Sequence, residues 1–209
     1  MVSDGAGSAS FGGQGAWITC RTIVEAARKH FAASPEMPSD DQCWSWVDEV
    51  RNRIACAANS RATEPRQFAA TLVTVIASDT ETLILHVGDG AAVLQANGGW
   101  EAPSWPENGE YASTTFFVTD EPVARLRITR APRAMAVAVF TDGIERLALD
   151  FASECPHAPF FDGIIRPVTR AEEPGRSRSL AASLARYLDS DAINERTDDD
   201  KSLILACRR

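Results

Sequence analysis

The sequence lacks a long apolar run. The longest uninterrupted run, residues 134–140, has seven residues, whereas a membrane-spanning helix needs about 20. It also lacks an excess of positive charge, because 21 Lys and Arg face 29 Asp and Glu for a net charge of −8. This balance argues against binding nucleic acid by phosphate neutralisation. The start, MVSDGAGSAS, has neither a basic nor an apolar segment and does not read as a signal peptide. We therefore expect a cytoplasmic protein without membrane or nucleic-acid partners.

Paired cysteines are lacking as well. The five cysteines are odd in number and widely spaced, and no C-x-x-C occurs. This pattern argues against a disulfide framework or a zinc site and predicts reduced, mostly buried thiols. The chain has 209 residues, of which 44% are hydrophobic and 24% charged. That length and composition suit one sizeable core, so we predict a single domain over residues 1–209.

Two helices are predicted in the first third of the chain. Apolar residues recur at helical spacing from residue 16 to Ser34 and give one apolar face. A second helix begins after Ser39, because Ser39 and Gln42 have the spacing of a capping box, and it ends near Asn59. A short helix over residues 143–149 and a last one ending near residue 188 follow later.

The middle of the chain has the pattern of strands. Strands are predicted over residues 68–77, 82–87, 91–95, 115–118, 123–129, 134–140 and 202–207. The first two are apolar on both faces and joined by a short turn, so they form a buried antiparallel hairpin. His86 lies on that hairpin and is interpreted as a core histidine. The rest of residues 100–119, and residues 151–170, contain several prolines and are predicted to be irregular.

Acidic residues adjoin the buried segments at several places. The dipeptides concerned are Asp4-Gly5, Asp142-Gly143 and Asp199-Asp200, and Asp89 follows the hairpin. A carboxylate at the mouth of a buried strand is costly unless it is paired. Asp142 could cap the next helix. Alternatively, three converging aspartates would hold two hard divalent cations, and a water acidified by such ions hydrolyses phosphoesters. The spacing alone leaves both interpretations open.

Five short motifs occur in one fixed order. They are V-S-D-G-A-G-S-A near the start, T-L-V-T and H-V-G-D-G in the hairpin, F-T-D-G-I after residue 139, and D-D-D-K-S-L-I-L-A at the end. Two predicted helices separate the first motif from the second. In this order the motifs resemble the metal-dependent protein phosphatases of the PPM (PP2C-like) family, in its compact bacterial form. The resemblance extends over nearly the whole chain.

The resemblance implies an α+β fold, a four-layer α-β-β-α sandwich of two antiparallel sheets flanked by helices. It also implies two Mn²⁺ or Mg²⁺ ions. Asp4 matches the aspartate that bridges both ions, and Gly5 matches the glycine that offers its carbonyl. Asp142 and Asp199 match further ligands, and Asp89 matches an aspartate that lies near the metal site. The implied reaction is hydrolysis of phosphoserine or phosphothreonine in a protein, opposite a cognate protein kinase.

The sequence departs from the family at its start. Family members begin with a strand pair that carries an arginine for the substrate phosphate. Here Met1 lies three residues before Asp4, so we expect the first strand or strands to be missing and a sheet edge to be exposed. The family form V-G-D-S-R appears here as V-G-D-G-A, which removes a serine and an arginine. Arg61 and Arg66 are available to bind the substrate phosphate, but no motif assigns them this role.

Three functions follow from these observations. The first is a Mn²⁺/Mg²⁺-dependent serine/threonine-protein phosphatase. The second is a catalytically impaired or truncated phosphatase fold that acts as a phosphoprotein-binding regulatory module. The third is a structural protein without a site, in which metal would not raise thermal stability.

Overall fold

The computed structural model describes residues 1–107 and 115–209 and contains helices and strands in nearly equal number. The strands are β1 (Leu72–Ala77), β2 (Glu81–Val87), β3 (Ala91–Ala96), β4 (Gly99–Ser104), β5 (Arg127–Pro132), β6 (Ala136–Phe140), β7 (Leu149–Asp150), β8 (Cys155–Pro156) and β9 (Leu203–Cys207). The α-helices are α1 (Gly12–Ala33), α2 (Asp40–Asn59), α3 (Glu145–Ala148), α4 (Ala158–Thr169), α5 (Arg178–Leu188) and α6 (Asp191–Asn194).

The first two helices form where the sequence predicts them. Helix α2 begins after Ser39, whose Oγ accepts the Gln42 N–H at 3.2 Å, so the predicted cap is confirmed. This bond satisfies one of the backbone donors that a helix leaves unpaired at its first turn. Helix α1 begins at Gly12 rather than at residue 16. Both helices bury an apolar face against β1 and β2.

The strands form two antiparallel sheets. One has the order β1-β2-β5, and the other has the order β4-β3-β6-β9. The turn between β3 and β4 has positive φ at Asn97 and Gly98, the conformation in which Asn-Gly connects two strands. A separate short hairpin joins β7 to β8.

Three clusters of buried side chains show that the layers are stacked. One cluster lies between the first sheet and α1 and α2. A second lies between the other sheet and the helices α3 to α6. A third contains residues of both sheets, among them Val73, Ile84, Leu94 and Val139. This arrangement is the predicted α-β-β-α sandwich.

The first residues of the chain lie along the free edge of β1. Val2 and Val73 exchange backbone hydrogen bonds of 2.9 and 3.0 Å, and Gly5 forms an isolated bridge with Ala70. Within described residues 1–71 no named strand forms. The backbone of residues 2–6 nevertheless covers the edge that the sequence predicted to be exposed.

Several strand predictions were wrong in position. Strand β1 begins at Leu72 rather than at residue 68, because Pro65–Phe68 forms a turn of 3-10 helix. Strand β5 spans Arg127–Pro132 rather than residues 123–129. Residues 115–118 belong to no named strand. The physical reason is that alternation in sequence marks an extended segment, while backbone pairing decides where a strand starts.

Two segments predicted to be irregular contain regular structure. Strand β4 occupies the start of residues 100–119 as an edge strand, a place where Pro103 needs no ladder hydrogen bond. The remainder of that prediction lies partly outside the described residues. Helix α4 occupies most of residues 158–170, with Pro159 in its first turn and Pro167 near its end. Proline is tolerated in the first turn, because the amide there has no helical partner.

The cysteines are free as predicted, but most of them are not fully buried. All five cysteines are free, as predicted, but Cys43 alone is fully buried and Cys56 and Cys155 are exposed. Among the described residues, none of the helices combines the length and the apolar character that crossing a bilayer requires.

The imidazole of His86 on β2 is buried in the core beside Ser104 at the end of β4 and Arg127 at the start of β5. Its Nδ1 is 2.6 Å from Ser104 Oγ and accepts from Arg127 Nη2 at 2.8 Å. Arg127 also donates to the Trp105 carbonyl. Burial, and then the charge of Arg127, lower the pKa of His86 to about 3. His86 is therefore a neutral core residue, as the sequence predicted.

This burial predicts an acid-sensitive contribution to stability. Unfolded His86 gains a proton below about pH 6.5, whereas the folded protein gains it only near pH 3. The free energy of unfolding should therefore fall as the pH drops through this range, by at most ~1.4 kcal/mol per pH unit. We expect His86→Asn, which keeps an acceptor but cannot be protonated, to lack this component. Urea unfolding of both proteins at pH 7, 5.5 and 4.5 measures it, and parallel pH dependences would contradict it.

Candidate functional site

The register of the two sheets brings the acidic motifs to one end of the sandwich. Leu72 at the start of β1 pairs with Val87 at the end of β2. Phe140 at the end of β6 pairs with Ala91 at the start of β3 and with Leu203 at the start of β9. Each acidic motif adjoins one of these paired strand ends. Antiparallel pairing within each sheet, together with the short link of residues 88–90 between β2 and β3, therefore places motifs that are far apart in sequence at the same edge.

A pocket of about 490 Å³ lies at this edge. Its lining is Asp4, Gly5, Ala6, Gly7, Ser8, Thr71, Asp89, Thr115, Phe117, Asp142, Asp199 and Asp200. Five of these residues are aspartates, and none is a lysine or an arginine. We call this the acidic pocket, and its charge suits a cation rather than an anion.

Thr71 fixes the backbone of the first motif. Its N–H donates to the Asp4 carbonyl at 2.8 Å, and its Oγ1 accepts the Asp4 N–H at 3.0 Å. Ser3 Oγ donates to the Thr71 carbonyl at 2.5 Å. Gly5 follows, and a Cβ at this position would lie 2.2 Å from the Gly12 carbonyl carbon. The glycine therefore lets the loop pass against the start of α1.

Asp89 lies where β2 leaves the first sheet. Gly88 before it has φ +106°, which an L side chain rarely adopts. The Thr115 hydroxyl donates to Asp89 Oδ2. This bond orients the carboxylate and ties residues 115–117 to the edge of the acidic pocket.

Asp142 and Gly143 come directly after β6. A Cβ on Gly143 would lie only 2.1 Å from the Asp200 carbonyl oxygen, so the glycine allows the last acidic segment to approach. Thr141 holds that segment, because its N–H donates to the Ser202 carbonyl at 3.1 Å and its Oγ1 accepts the Ser202 N–H at 3.2 Å. Asp142 Oδ1 is buried and has no hydrogen-bond partner among the described residues.

The carboxylates of the acidic pocket destabilise one another's charges. Burial, and then the charges of Asp89, Asp199 and Asp4, raise the pKa of Asp142 to about 7. Burial likewise raises the pKa of Asp4 and of Asp89, and the charge of Asp199 adds to both effects. The cause is the low polarisability of a partly buried site combined with like charge. A bound cation would remove most of this cost.

The acidic side chains are near one another but are not arranged as a complete set of metal ligands. Among residues 1–107 and 115–209, no group of three or more His, Cys, Asp or Glu side chains is arranged to hold a metal ion. Asp4 and Asp142 nevertheless lie close enough for each to shift the pKa of the other.

Comparison with known proteins identifies the family. The sequence profile of the family described as Protein phosphatase 2C matches residues 1–189. The chain belongs to the protein phosphatase 2C family. Serine/threonine-protein phosphatase 3 of Escherichia coli (strain K12) is 39% identical over 208 residues, which cover 99% of this chain and 82% of that relative. The predicted family and enzyme class are thereby confirmed.

Solved structures agree on the fold. PppA, described as a key regulatory component of T6SS in Pseudomonas aeruginosa, is 16% identical with a TM-score of 0.65, over 99% of this chain and 84% of that one. The catalytic domain of the serine threonine protein phosphatase PstP, solved with 2 manganese ions, is 13% identical with a TM-score of 0.62, over 97% and 84%. At these identities the likeness shows that this protein phosphatase 2C member shares their fold.

The structure brings together all the residues that the motifs singled out. Asp4, Gly5, Asp89, Asp142 and Asp199 line the one acidic pocket. Asp200, the residue that follows Asp199, also lines it. Whether these residues bind metal stays a prediction.

The available arginines lie elsewhere. The guanidinium of Arg61 stacks over the rings of Phe11 and Phe68 at 5.3 and 5.6 Å. Arg66 forms an exposed ion pair with Glu64. Neither arginine lines the acidic pocket.

Sequence reasoning missed the hydroxyl groups that orient the carboxylates. Thr71 lies within the T-L-V-T region, so its motif signalled a role that the spacing did not specify. Thr115 lies at the start of the predicted strand over residues 115–118, and no pattern connected it with Asp89. Glu145, whose pKa is raised by burial and then by Asp89, follows the T-D-G-I motif directly and was a detectable neighbour.

Because the Asp200 backbone lies against Gly143, we predict that this position does not tolerate a side chain. We expect Gly143→Ala to lower the free energy of unfolding by ~1–3 kcal/mol, because the new methyl group must displace the backbone at Asp200. Gly163→Ala is the matched control, since a Cβ there meets nothing within 4 Å. In the interior of α4 that change should be neutral or should stabilise by up to ~1 kcal/mol. Chemical denaturation measures both, and equal effects would show that the acidic segments do not meet as described.

Proposed function

We propose that the protein is a Mn²⁺- or Mg²⁺-dependent phosphatase that hydrolyses phosphoserine or phosphothreonine in proteins. The observation that carries this proposal is the convergence of Asp4, Asp89, Asp142 and Asp199 on one pocket. Protein phosphatase 2C membership and the named activity of the E. coli relative support the reaction class. A phosphorylated protein is the expected substrate. A cognate kinase system and a cytoplasmic location remain predictions from the sequence.

The residues of the acidic pocket fit a hard divalent cation. Such cations bind carboxylate and carbonyl oxygens, and Asp142 Oδ1 is a buried oxygen without a partner among the described residues. We assign Asp4, the Gly5 carbonyl, Asp142 and Asp199 as ligands, in line with the family motifs. Asp89 would support the site from beside these ligands. Two bound ions would supply acidification of a water molecule and neutralisation of charge on the phosphoryl group.

The chain's own groups prepare the pocket for this role. Thr71 bonds both the N–H and the carbonyl of Asp4. These bonds fix the position of the backbone that carries the Asp4 carboxylate. Thr115 occupies Asp89 Oδ2 and leaves the other Asp89 oxygen to face its neighbours. Because the pKa of Asp142 is raised to about 7, this carboxyl would release a proton when a cation binds, since the ligand form of a carboxyl is deprotonated. Metal binding should therefore weaken as the pH falls.

A second function has one observation in its favour. No lysine or arginine lines the acidic pocket among the described residues, and both Arg61 and Arg66 are engaged elsewhere. A phosphate would then be held without a basic side chain. This feature favours a catalytically impaired phosphatase fold that binds metal without turnover.

The decisive test compares Asp142, which lines the acidic pocket, with an aspartate that does not. We expect Asp142→Asn to lower Mn²⁺-dependent hydrolysis of a phosphothreonine peptide by at least ~100-fold, because it removes a charged ligand oxygen. Asp198→Asn is the control, since Asp198 is exposed and does not line the pocket, and it should retain activity. Phosphate release at saturating Mn²⁺ is the measurement. Equal activity of the two variants would remove Asp142 from the site.

Thermal unfolding separates the two functions. Mn²⁺ should raise the Tm of the unmutated chain and of Asp198→Asn, and much less that of Asp142→Asn, because only the native site binds the ion. A Tm shift without any hydrolysis would favour the binding module. Hydrolysis that is unchanged after chelation of divalent ions would contradict metal dependence.

A further inference from the structure

A second, largely apolar depression of about 600 Å³ lies on the surface next to the acidic pocket. Trp44 of α2, Phe116, Val123, Ala124 and Leu126 supply its apolar lining. Ala124 and Leu126 are buried and form the floor, whereas Val123 remains 56% exposed at the rim. We call this depression the flanking groove.

The flanking groove and the acidic pocket share one wall. Thr115 and Phe117 line the acidic pocket, while Phe116 between them lines the flanking groove. Side chains of successive residues in an extended segment point to opposite sides. Consecutive Cα atoms are only about 3.8 Å apart, so the wall is a single backbone thick. A ligand in the acidic pocket is thus within reach of the groove.

This wall is fixed to the body of the protein. Val118 N–H donates to the Ala70 carbonyl at 2.9 Å. Arg51 Nη1 donates to the carbonyls of Val118 and Asp120 at 2.8 and 2.7 Å. The groove is therefore formed before a ligand arrives, which reduces the entropy cost of binding.

The charged groups at the groove already have protein partners. Arg125 pairs with Glu107 at 2.6 Å, and its guanidinium lies 4.4 Å from the centre of the Phe116 ring. Glu121 pairs with Arg51. The Asp120 carboxylate accepts the Phe117 N–H at 2.9 Å. Because these charges are compensated, the complementary ligand group is uncharged and apolar.

We propose that the flanking groove binds an apolar side chain of the phosphoprotein substrate, a few residues from the phosphorylated residue. The proposal rests on the proposed function, because it places the phosphorylated residue in the acidic pocket. An extended peptide advances about 3.3 Å per residue. A side chain two to four residues away therefore lies about 7–13 Å from the phosphorylated residue, far enough to cross the wall. The groove makes the protein selective for phosphopeptides with an apolar residue at one such position.

The test compares phosphothreonine peptides that differ at one position. A Gly- and Ser-rich peptide carries a single Leu at each position from four residues before to four residues after the phosphothreonine, and Gln replaces Leu in the matched peptide. We expect one position at which Leu raises kcat/KM about tenfold over Gln, the gain from burying one apolar side chain. Equal kcat/KM for Leu and Gln at every position would overturn the proposal.

Two exposed valines provide matched variants. Val123→Asp places a charge in the groove and should reduce the Leu/Gln ratio to about one. Val24→Asp makes the same change on α1, at a residue that is 36% exposed and does not line the groove, and should keep the ratio near ten. The ratio does not depend on any overall change in activity. An unchanged ratio in Val123→Asp would show that the groove is not the binding site.

Hydrolysis of p-nitrophenyl phosphate by the unmutated protein separates the two proposals. This substrate has no flanking residues, so its turnover tests the proposed function alone. If neither it nor any peptide is hydrolysed, the phosphatase proposal fails. Calorimetry with the Leu and Gln peptides then gives the same ratio as Kd values, and equal Kd values would overturn the groove as well.

Discussion

The mutual repulsion of carboxylates at one end of the sandwich is the constraint on which the site depends. Folding brings Asp4, Asp89 and Asp142 into partial burial beside Asp199, where each charge is worse solvated and closer to others of the same sign. Among the described residues that line the acidic pocket, none has a basic side chain that could compensate this negative charge. The free energy must come from elsewhere, namely the three apolar clusters that hold the layers together. The negative charge of the acidic pocket is thus left for bound cations to neutralise.

Much of the architecture could be predicted from the sequence because its signals are local. The cap at Ser39, the heptad-like face of α1 and the doubly apolar hairpin each depend on residues within a few positions of one another. The acidic pocket is different, since Asp4 and Asp199 are at opposite ends of the chain. The periodicity of apolar residues does not indicate how far apart these two residues lie in the folded protein. The order of the five motifs carried that information, through the resemblance to a family whose strands pair in a known way.

The errors also have physical causes. Prolines suggested irregular structure over residues 151–170, yet Pro159 occupies a first-turn position of α4 where its missing amide costs nothing. Pro103 suggested the same for β4, which is an edge strand and needs only one set of ladder bonds. The link between Thr115 and Asp89 could not be predicted, because a hydroxyl–carboxylate contact between distant residues leaves no pattern in composition or spacing.

The wall at residues 115–117 connects the chemistry of the site with its selectivity. Through Thr115 it fixes a carboxylate of the acidic pocket, and through Phe116 it supplies a side of the flanking groove. A displacement of this short segment would therefore change both at once. The hydrogen bonds of Arg51 to carbonyls at and just beyond the wall, together with the Val118 N–H to Ala70 carbonyl bond, oppose such a displacement. An apolar side chain bound in the groove would press on the same segment from the other side. In the proposed binding mode, a side chain in the flanking groove would therefore help to keep Thr115 and Asp89 in place.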